Sequence, residues 1–342
     1  MRTTRQTTGR APRGAVVLAA AALVLTGLTG CSGSGGKGSE EKPPPGRGAD
    51  GRAADTPRMK IAMITHAGAG DTFWDIVQSG AKAAAAKDDV EFLYSADKEG
   101  KEQASLIEAA VDQRVQGIVV TLAKPEAVGA AVKKAVAAGI PVVTINSGGR
   151  HSRALGALGH IGQDEAVAGE GVGEELNTRG RKKALCVIHE QGNVSLEERC
   201  AGVRKTFRGT VENLTVEGTN MPATTSSIEA KLQATKDIDV VVTLGAPFAD
   251  ATVKAKEGAG STAEVNTFDL NAAVVKSLKS KAVGFAVDQQ PYLQGYLAVD
   301  GIWLNRTNGN VLGGGRPVLT GPAVVTGEDV PALEKYTARG TR

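Results

Sequence analysis

Apolar residues along this chain come in short continuous runs, separated by stretches in which they recur every third or fourth position. The run Gly117 to Gly148, GIVVTLAKPEAVGAAVKKAVAAGIPVVTINSG, shows the pattern most fully. Ile118, Val119 and Val120 form an unbroken apolar run, as a strand covered on both faces requires. Thr121 to Lys124 form a loop, and Pro125 suits the first turn of a helix. Ala and Val then recur at helical spacing from Ala127 to Ala138, and Gly139 can end that helix in the left-handed conformation. Pro141 opens a second strand, Val142 to Ile145. A strand, helix and strand this short predict a right-handed parallel βαβ unit. Ligands of such sheets bind beyond the carboxyl ends of the strands, where this unit places Thr121-Leu122 and Asn146-Ser147.

The same alternation fills the rest of the chain. Strands are predicted at Lys60–Thr65, Val90–Tyr94, Leu158–Gly162, Ala184–His189, Leu214–Gly218, Val240–Leu244, Val265–Phe268 and Val283–Val287. The intervening helices are Asp71-capped to Lys87, Lys101–Val115, Asp164-capped to Asn177, Ser195–Phe207, Ser226–Ala234, Pro247–Glu257, one between Phe268 and Val283, and Tyr292–Asn305. The two halves share this rhythm without a sequence repeat, and the class is α/β.

The N-terminus departs from the pattern. Arg2, Arg5, Arg10 and Arg13 precede an apolar core of 11 residues, Ala15 to Leu25, which is too short to span a bilayer and suits a signal peptide over residues 1–30. Leu28-Thr29-Gly30-Cys31 follows and resembles the lipobox of bacterial lipoproteins. That resemblance implies cleavage before Cys31, acylation of its sulfur, and anchoring on the outer face of the cell membrane; the alternative is an ordinary signal peptide with a chance cysteine. More than one acyl chain holds far better than one, since each buried CH2 adds ~0.8 kcal/mol. Residues 31–57 are rich in Gly, Ser, Pro and charge and read as a tether.

With 342 residues, 41% of them hydrophobic, the chain has room for about two domains after the leader. Its net charge of +3 comes from the leader arginines, so the remainder is close to neutral and no nucleic-acid partner is expected. Enzyme signatures are scarce. His189-Glu190 begins like a zinc protease motif, but Asn193 stands where its second histidine belongs. Gly258-Ala259-Gly260 follows a helix, so it reads as a helix-ending turn and not a dinucleotide fingerprint. The 4 histidines lack metal-ligand spacing, and no metal or cofactor is expected. Of the 3 cysteines, Cys186 and Cys200 remain once Cys31 is acylated, and a pair in an exported protein favours a disulfide over two buried thiols.

From Lys60 to Val330 the chain resembles the type I periplasmic sugar-binding proteins of the ribose- and galactose-binding group. The resemblance rests on IAMIT, the Phe73-Trp74 pair, AKPEAV, GIPVVTIN, HIGQDEAVAGE, EERCAGV, FDLN and DQQPYLQGY, in that order. It implies two doubly wound parallel-sheet lobes joined by three crossovers, with the ligand between them. The lobes are expected at 58–161 with 290–311 and at 162–289 with 312–342.

The resemblance also implies residue roles. Phe73 or Trp74 would stack on a sugar ring, Arg199 would donate to hydroxyls, Asp269 would accept from them, and Gln289 would serve from the return crossover. Thr65, Thr121, Asn146, Ser147 and Phe248 complete the set at strand ends and in TLGAPF. His66 and Asn193 could add polar contacts, or be surface loop residues. The group's usual Asp-Arg after the fourth strand is Asn146-Ser147 here, and its asparagine near TLGAPF is Gly245 or Ala246. Both departures weaken a ribose or galactose reading and leave room for a polyol or inositol-like ligand. The expected function is capture of a monosaccharide or polyol by a monomeric receptor for an ABC permease, without catalysis. The alternative is a receptor that presents a sugar or autoinducer to a membrane sensor.

Overall fold

The apolar runs form strands because helices cover them on both faces. The structure, a computed structural model, describes residues 56–68 and 71–342. The expected signal peptide, Cys31 and nearly all of the tether lie outside the described residues. In chain order the first lobe holds β1 (Met59–Thr65), α1 (Phe73–Lys87), β2 (Val90–Ala96), α2 (Gly100–Asp112), β3 (Gly117–Thr121), α3 (Pro125–Ala137), β4 (Val142–Ile145), α4 (Gly149–Ser152) and β5 (Gly159–Gly162). The second holds α5 (Glu165–Thr178), β6 (Lys183–Ile188), α6 (Val194–Thr206), β7 (Thr210–Thr215), α7 (Met221–Ala234), β8 (Val240–Thr243), α8 (Ala246–Gly258), β9 (Glu264–Phe268), α9 (Ala272–Lys279) and β10 (Ala286–Asp288). The chain then returns to the first lobe for α10 (Pro291–Asn308) and β11 (Val318–Leu319). It ends in the second with β12 (Ala323–Val325) and α11 (Val330–Thr337).

Each lobe is built on one 6-stranded sheet, ordered β11-β5-β4-β3-β1-β2 and β12-β10-β9-β8-β6-β7. The pairings are parallel except for β10 with β12. β3 sits between β1 and β4 and is buried along its whole length, as is β8 in the second lobe, which explains why those two runs carry no polar alternation. The chain passes between lobes three times, at 163–164, 289–290 and 320–322.

Close helix pairs fix the functional elements. A Cβ on Gly80 would lie 1.9 Å from the Tyr292 carbonyl oxygen, and one on Gly295 1.9 Å from that of Val77, so α1 and α10 touch backbone to backbone. In the second lobe, a Cβ on Gly169 would lie 2.1 Å from the Arg199 carbonyl oxygen, and one on Gly202 2.4 Å from that of Ala166, so α5 and α6 do the same. The sulfurs of Cys186 on β6 and Cys200 on α6 are bonded, with Cα atoms 6.0 Å apart, which staples α6 to its own sheet.

Several boundaries differ from the sequence reading, and four of the differences have a plain physical reason. The strand expected at Leu214–Gly218 runs from Thr210 to Thr215: it is an edge strand, half exposed, so it has no apolar run to mark it. Helix α7 starts at Met221 and not Ser226, because Asn220 caps it through the Ala223 amide and Pro222 fits its first turn. The strand expected at Val283–Val287 pairs only over Ala286–Asp288. The third crossover comes later than 311, because Val318–Leu319 pairs in parallel with Ile161–Gly162 and so belongs to the first sheet.

Candidate functional site

The carboxyl ends of the two sheets face each other across a cavity of 710 Å³, within the usual range for small-molecule sites of ~300–1,000 Å³. Asn146 follows β4 and Asp269 follows β9. Both adopt left-handed backbone, φ 60° and 69°, which Asn and Asp tolerate better than other residues with a side chain. A hydrogen-bonded relay joins them. Ser147 Oγ donates to Asn146 Oδ1 (2.8 Å), Asn146 Nδ2 to Gln289 Oε1 (3.1 Å), and Gln289 Nε2 to Asp269 Oδ1 (2.7 Å). Gln294 Nε2 also donates to Gln289 Oε1 (3.0 Å), which fixes that amide's orientation. Among the described residues Asp269 Oδ2 has no hydrogen-bond partner, and its residue lines the cavity.

Asp71 lines the cavity from the other lobe. Its Oδ1 accepts the Phe73 amide (3.1 Å), although Thr72 and not Asp71 stands at the cap position of α1, and the carboxylate also faces the ligand space. Burial pushes Asp71 up to about 6, against the Phe73 amide and the Trp74 indole, which favour the charged form. Burial pushes Asp269 up to about 7, against the Arg199 guanidinium and the Gln289 amide. Two acceptors thus face the same space from opposite sides, and burial opposes the charge on both.

Phe73 and Trp74 both line the cavity, in an edge-to-face pair with centroids 5.1 Å apart. On the second lobe Phe248 stacks on His189 at 4.1 Å. Burial, then the positive Arg199, pushes His189 down to about 3, so that ring is neutral and serves as backing for the aromatic face. Arg199 is buried, with Nε and Nη2 on Glu165 (2.6 and 3.1 Å) and Nη1 on the Leu244 carbonyl (3.0 Å). Three of its five N–H groups are therefore committed to protein, and those remaining on Nη1 and Nη2 can reach a ligand.

Of the residues singled out in the sequence, the structure brings His66, Phe73, Trp74, Asn146, Asn193, Arg199, Phe248, Asp269 and Gln289 to the cavity wall. Thr65, Thr121 and Ser147 stand behind it, contrary to the expectation that they line it. The Thr65 hydroxyl bonds Tyr94, Thr121 Oγ1 accepts from the His66 amide and Gln103, and Ser147 orients Asn146. The strand pleat turns the Thr65 and Thr121 hydroxyls toward neighbouring elements. His66 and Asn193 are not loose loop residues: both are buried and bonded to protein. Sequence reasoning missed Asp71 as a cavity residue, because an acid before a helix reads fully as a cap. It also missed Glu165, whose partner Arg199 is 34 positions away. Among the described residues no cluster suited to a metal occurs.

The arrangement of paired acceptors, oriented amides and apolar ring faces suits a neutral molecule rich in hydroxyls. A family model of the periplasmic binding protein domain matches residues 61–304. The chain belongs to that family. A solved carbohydrate transporter structure from Acidothermus cellulolyticus 11B, in complex with myo-inositol, is 48% identical, covers 84% of this chain and 100% of its own, and superposes with a TM-score of 0.83. An ABC transporter solute-binding protein from Burkholderia graminis C4D1M, in complex with D-arabinose, is 25% identical over 79% of this chain and 96% of its own, with a TM-score of 0.71. The xylose/arabinose-binding protein of Sulfolobus acidocaldarius is 26% identical over 74% of this chain and 68% of its own. These relatives of the periplasmic binding protein are type I sugar-binding proteins and not enzymes, and its two-lobed α/β fold is theirs. No helix among the described residues is long and apolar enough to cross a membrane.

Proposed function

We propose that this periplasmic binding protein captures a cyclic polyol, myo-inositol or a close stereoisomer, and delivers it to an ABC importer from a lipid anchor at Cys31. The observation that carries the ligand class is the 48% identical structure holding myo-inositol, over the full length of that chain. The site's own chemistry supports it. A ring with a hydroxyl on every carbon offers donors in all directions, and Asp71 and Asp269 accept from opposite lobes. Asn146 and Ser147 are neutral, so no cation stands where the ribose- and galactose-type receptors that the chain resembles usually carry Asp-Arg. Phe73, Trp74 and Phe248 offer apolar faces for the ring's C–H bonds. Arg199 contributes its remaining N–H groups, and Gln289 acts by holding Asp269. Closure on such a ligand is the state a permease could read.

Calorimetric titration of the purified protein with myo-inositol, its scyllo isomer, ribose, xylose, arabinose and galactose tests this. The cyclitols are expected to bind most tightly, and ligand at 100 times its dissociation constant should add ~2.7 kcal/mol of stability. Tighter binding of any of the four monosaccharides would overturn the assignment.

A further inference from the structure

The start of α6 bonds directly to three separate segments of the opposite lobe. The Val194 amide donates to the Ala123 carbonyl (3.0 Å), beyond β3. The Gly148 amide donates to Ser195 Oγ (3.2 Å), beyond β4. Asn193 Nδ2 faces His66 Nε2 at 3.3 Å, beyond β1. Beside them Glu190 pairs with Lys124 (3.5 Å).

The side chains in this cluster have little left for a ligand. Asn193 Oδ1 accepts the Ser195 amide as the cap of α6, which fixes the amide so that Nδ2 points at His66 and at Glu190 Oε2 (2.9 Å). The His66 ring thus meets this amide at Nε2 and Thr121 Oγ1 at Nδ1 (2.8 Å). Burial, reinforced by Lys124 and Arg199 and opposed by Glu190, pushes the His66 pKa down, so the ring is neutral at neutral pH. Behind the cluster, α6 is held by Cys186–Cys200, by Arg199 on Glu165, and by its backbone approach to α5. It can move only with its lobe.

We infer that His66, Asn193 and Ser195, with the Val194 amide, form a clasp that holds the two lobes together independently of ligand. These are positioning residues: they set how much of the empty protein is already closed. Apparent affinity scales with the closed fraction, so weakening the clasp weakens capture, and the interlobe distance separates that effect from any direct loss of a ligand contact. The clasp stands whatever the ligand turns out to be.

The test reads the lobes directly. Spin labels carried by noncanonical amino acids at exposed Lys133 on α3 and Lys254 on α8 report the interlobe distance in the full chain by electron–electron resonance. Val194→Pro deletes the amide donor at the first helical position, where proline is tolerated. Ser195→Ala removes one hydroxyl and no backbone group, and keeps the test readable should the proline variant fail to fold. Without ligand, the parent protein is expected to show a closed population, and each variant to shift it toward the longer distance. Affinity for myo-inositol should then fall about five-fold for each bond removed. An empty parent protein that shows only the open distance, or a folded Ser195→Ala protein with an unchanged distribution, overturns the clasp. Since the distances are read without ligand, failure of myo-inositol to bind would count against the ligand assignment alone.

Discussion

At the scale of single residues the site concentrates cost. Asp269 sits in left-handed backbone at a strand end, is buried, and has its pKa pushed up to about 7. Its folded pKa lies above the ordinary carboxylate value. Its contribution to stability is therefore fully present below that ordinary value and is lost as pH rises through about 7; Asp71, at about 6, adds in the same sense. At pH 8 the empty cleft carries both charges against their preference. Asp269→Asn keeps the backbone conformation and the bond from Gln289, so it is expected to raise the melting temperature of the empty protein at pH 8 by ~1–4 °C. The gain should shrink at pH 5. The same change should weaken polyol binding by ~2 kcal/mol or more, the loss of a charged acceptor. In the parent protein, hydroxyl donors favour the charged carboxylates, so affinity should rise between pH 5.5 and 8 with release of protons, measurable by calorimetry in two buffers. An Asn variant less stable than its parent at pH 8 would show that the charge carries no such penalty.

Among the elements, α6 joins most of the site's parts. It carries Arg199, presents the clasp, packs on α5 through Gly169 and Gly202, and is tied to β6 by Cys200. A cross-link closing a loop of this length stabilises by about 3 kcal/mol in the chain-entropy model. Replacing both cysteines with alanine should lower the unfolding free energy by ~2–4 kcal/mol in urea titration, and non-reducing mass spectrometry of exported protein should show the linked peptides. Two free, alkylatable thiols in that material would count against the staple. The helix was legible from Ser195 onward because its spacing is local, whereas Asn193 read as a loop residue and only the structure shows it to be the cap. Arg199's pairing was not, because Glu165 belongs to another helix and nothing between them in the chain signals it.

For the whole molecule, the two lobes repeat one architecture on different sequences, with the same strand order and one close helix pair each. The three crossovers lie together. Gln290 Nε2 at the second donates to the Thr320 carbonyl at the third (2.7 Å), and Arg342 pairs with Asp288 (2.6 Å) beside them. Such a cross-bonded hinge suits rigid-body movement of the lobes over deformation within them. The anchor belongs to this scale as well. Cys31→Ser is expected to release the protein from membranes or to leave its precursor uncleaved, as read by fractionation and intact mass. A processed mutant that stays on the membrane would refute the lipid anchor.

The sequence by itself determined the class and most of the elements, because the burial of β3 and β8 on both faces and the spacing along the helices are local demands that each segment meets with its own residues. It also placed Asn146, Asp269 and the Phe73-Trp74 pair at strand ends, since every parallel sheet puts its site there. Edge strand β7 was misplaced and β11 went unmarked, because half-exposed strands need no apolar run. What only the tertiary structure decided is who faces whom. Thr121 turns to His66 and Gln103, Arg199 to Glu165, Asn146 through Gln289 to Asp269, and the start of α6 to the opposite lobe. These pairings join residues up to 143 positions apart, and no local pattern encodes them: those of Thr121 and Arg199 form only when separate elements of one lobe pack together, and the other two only when the hinge brings the carboxyl ends of the two sheets face to face.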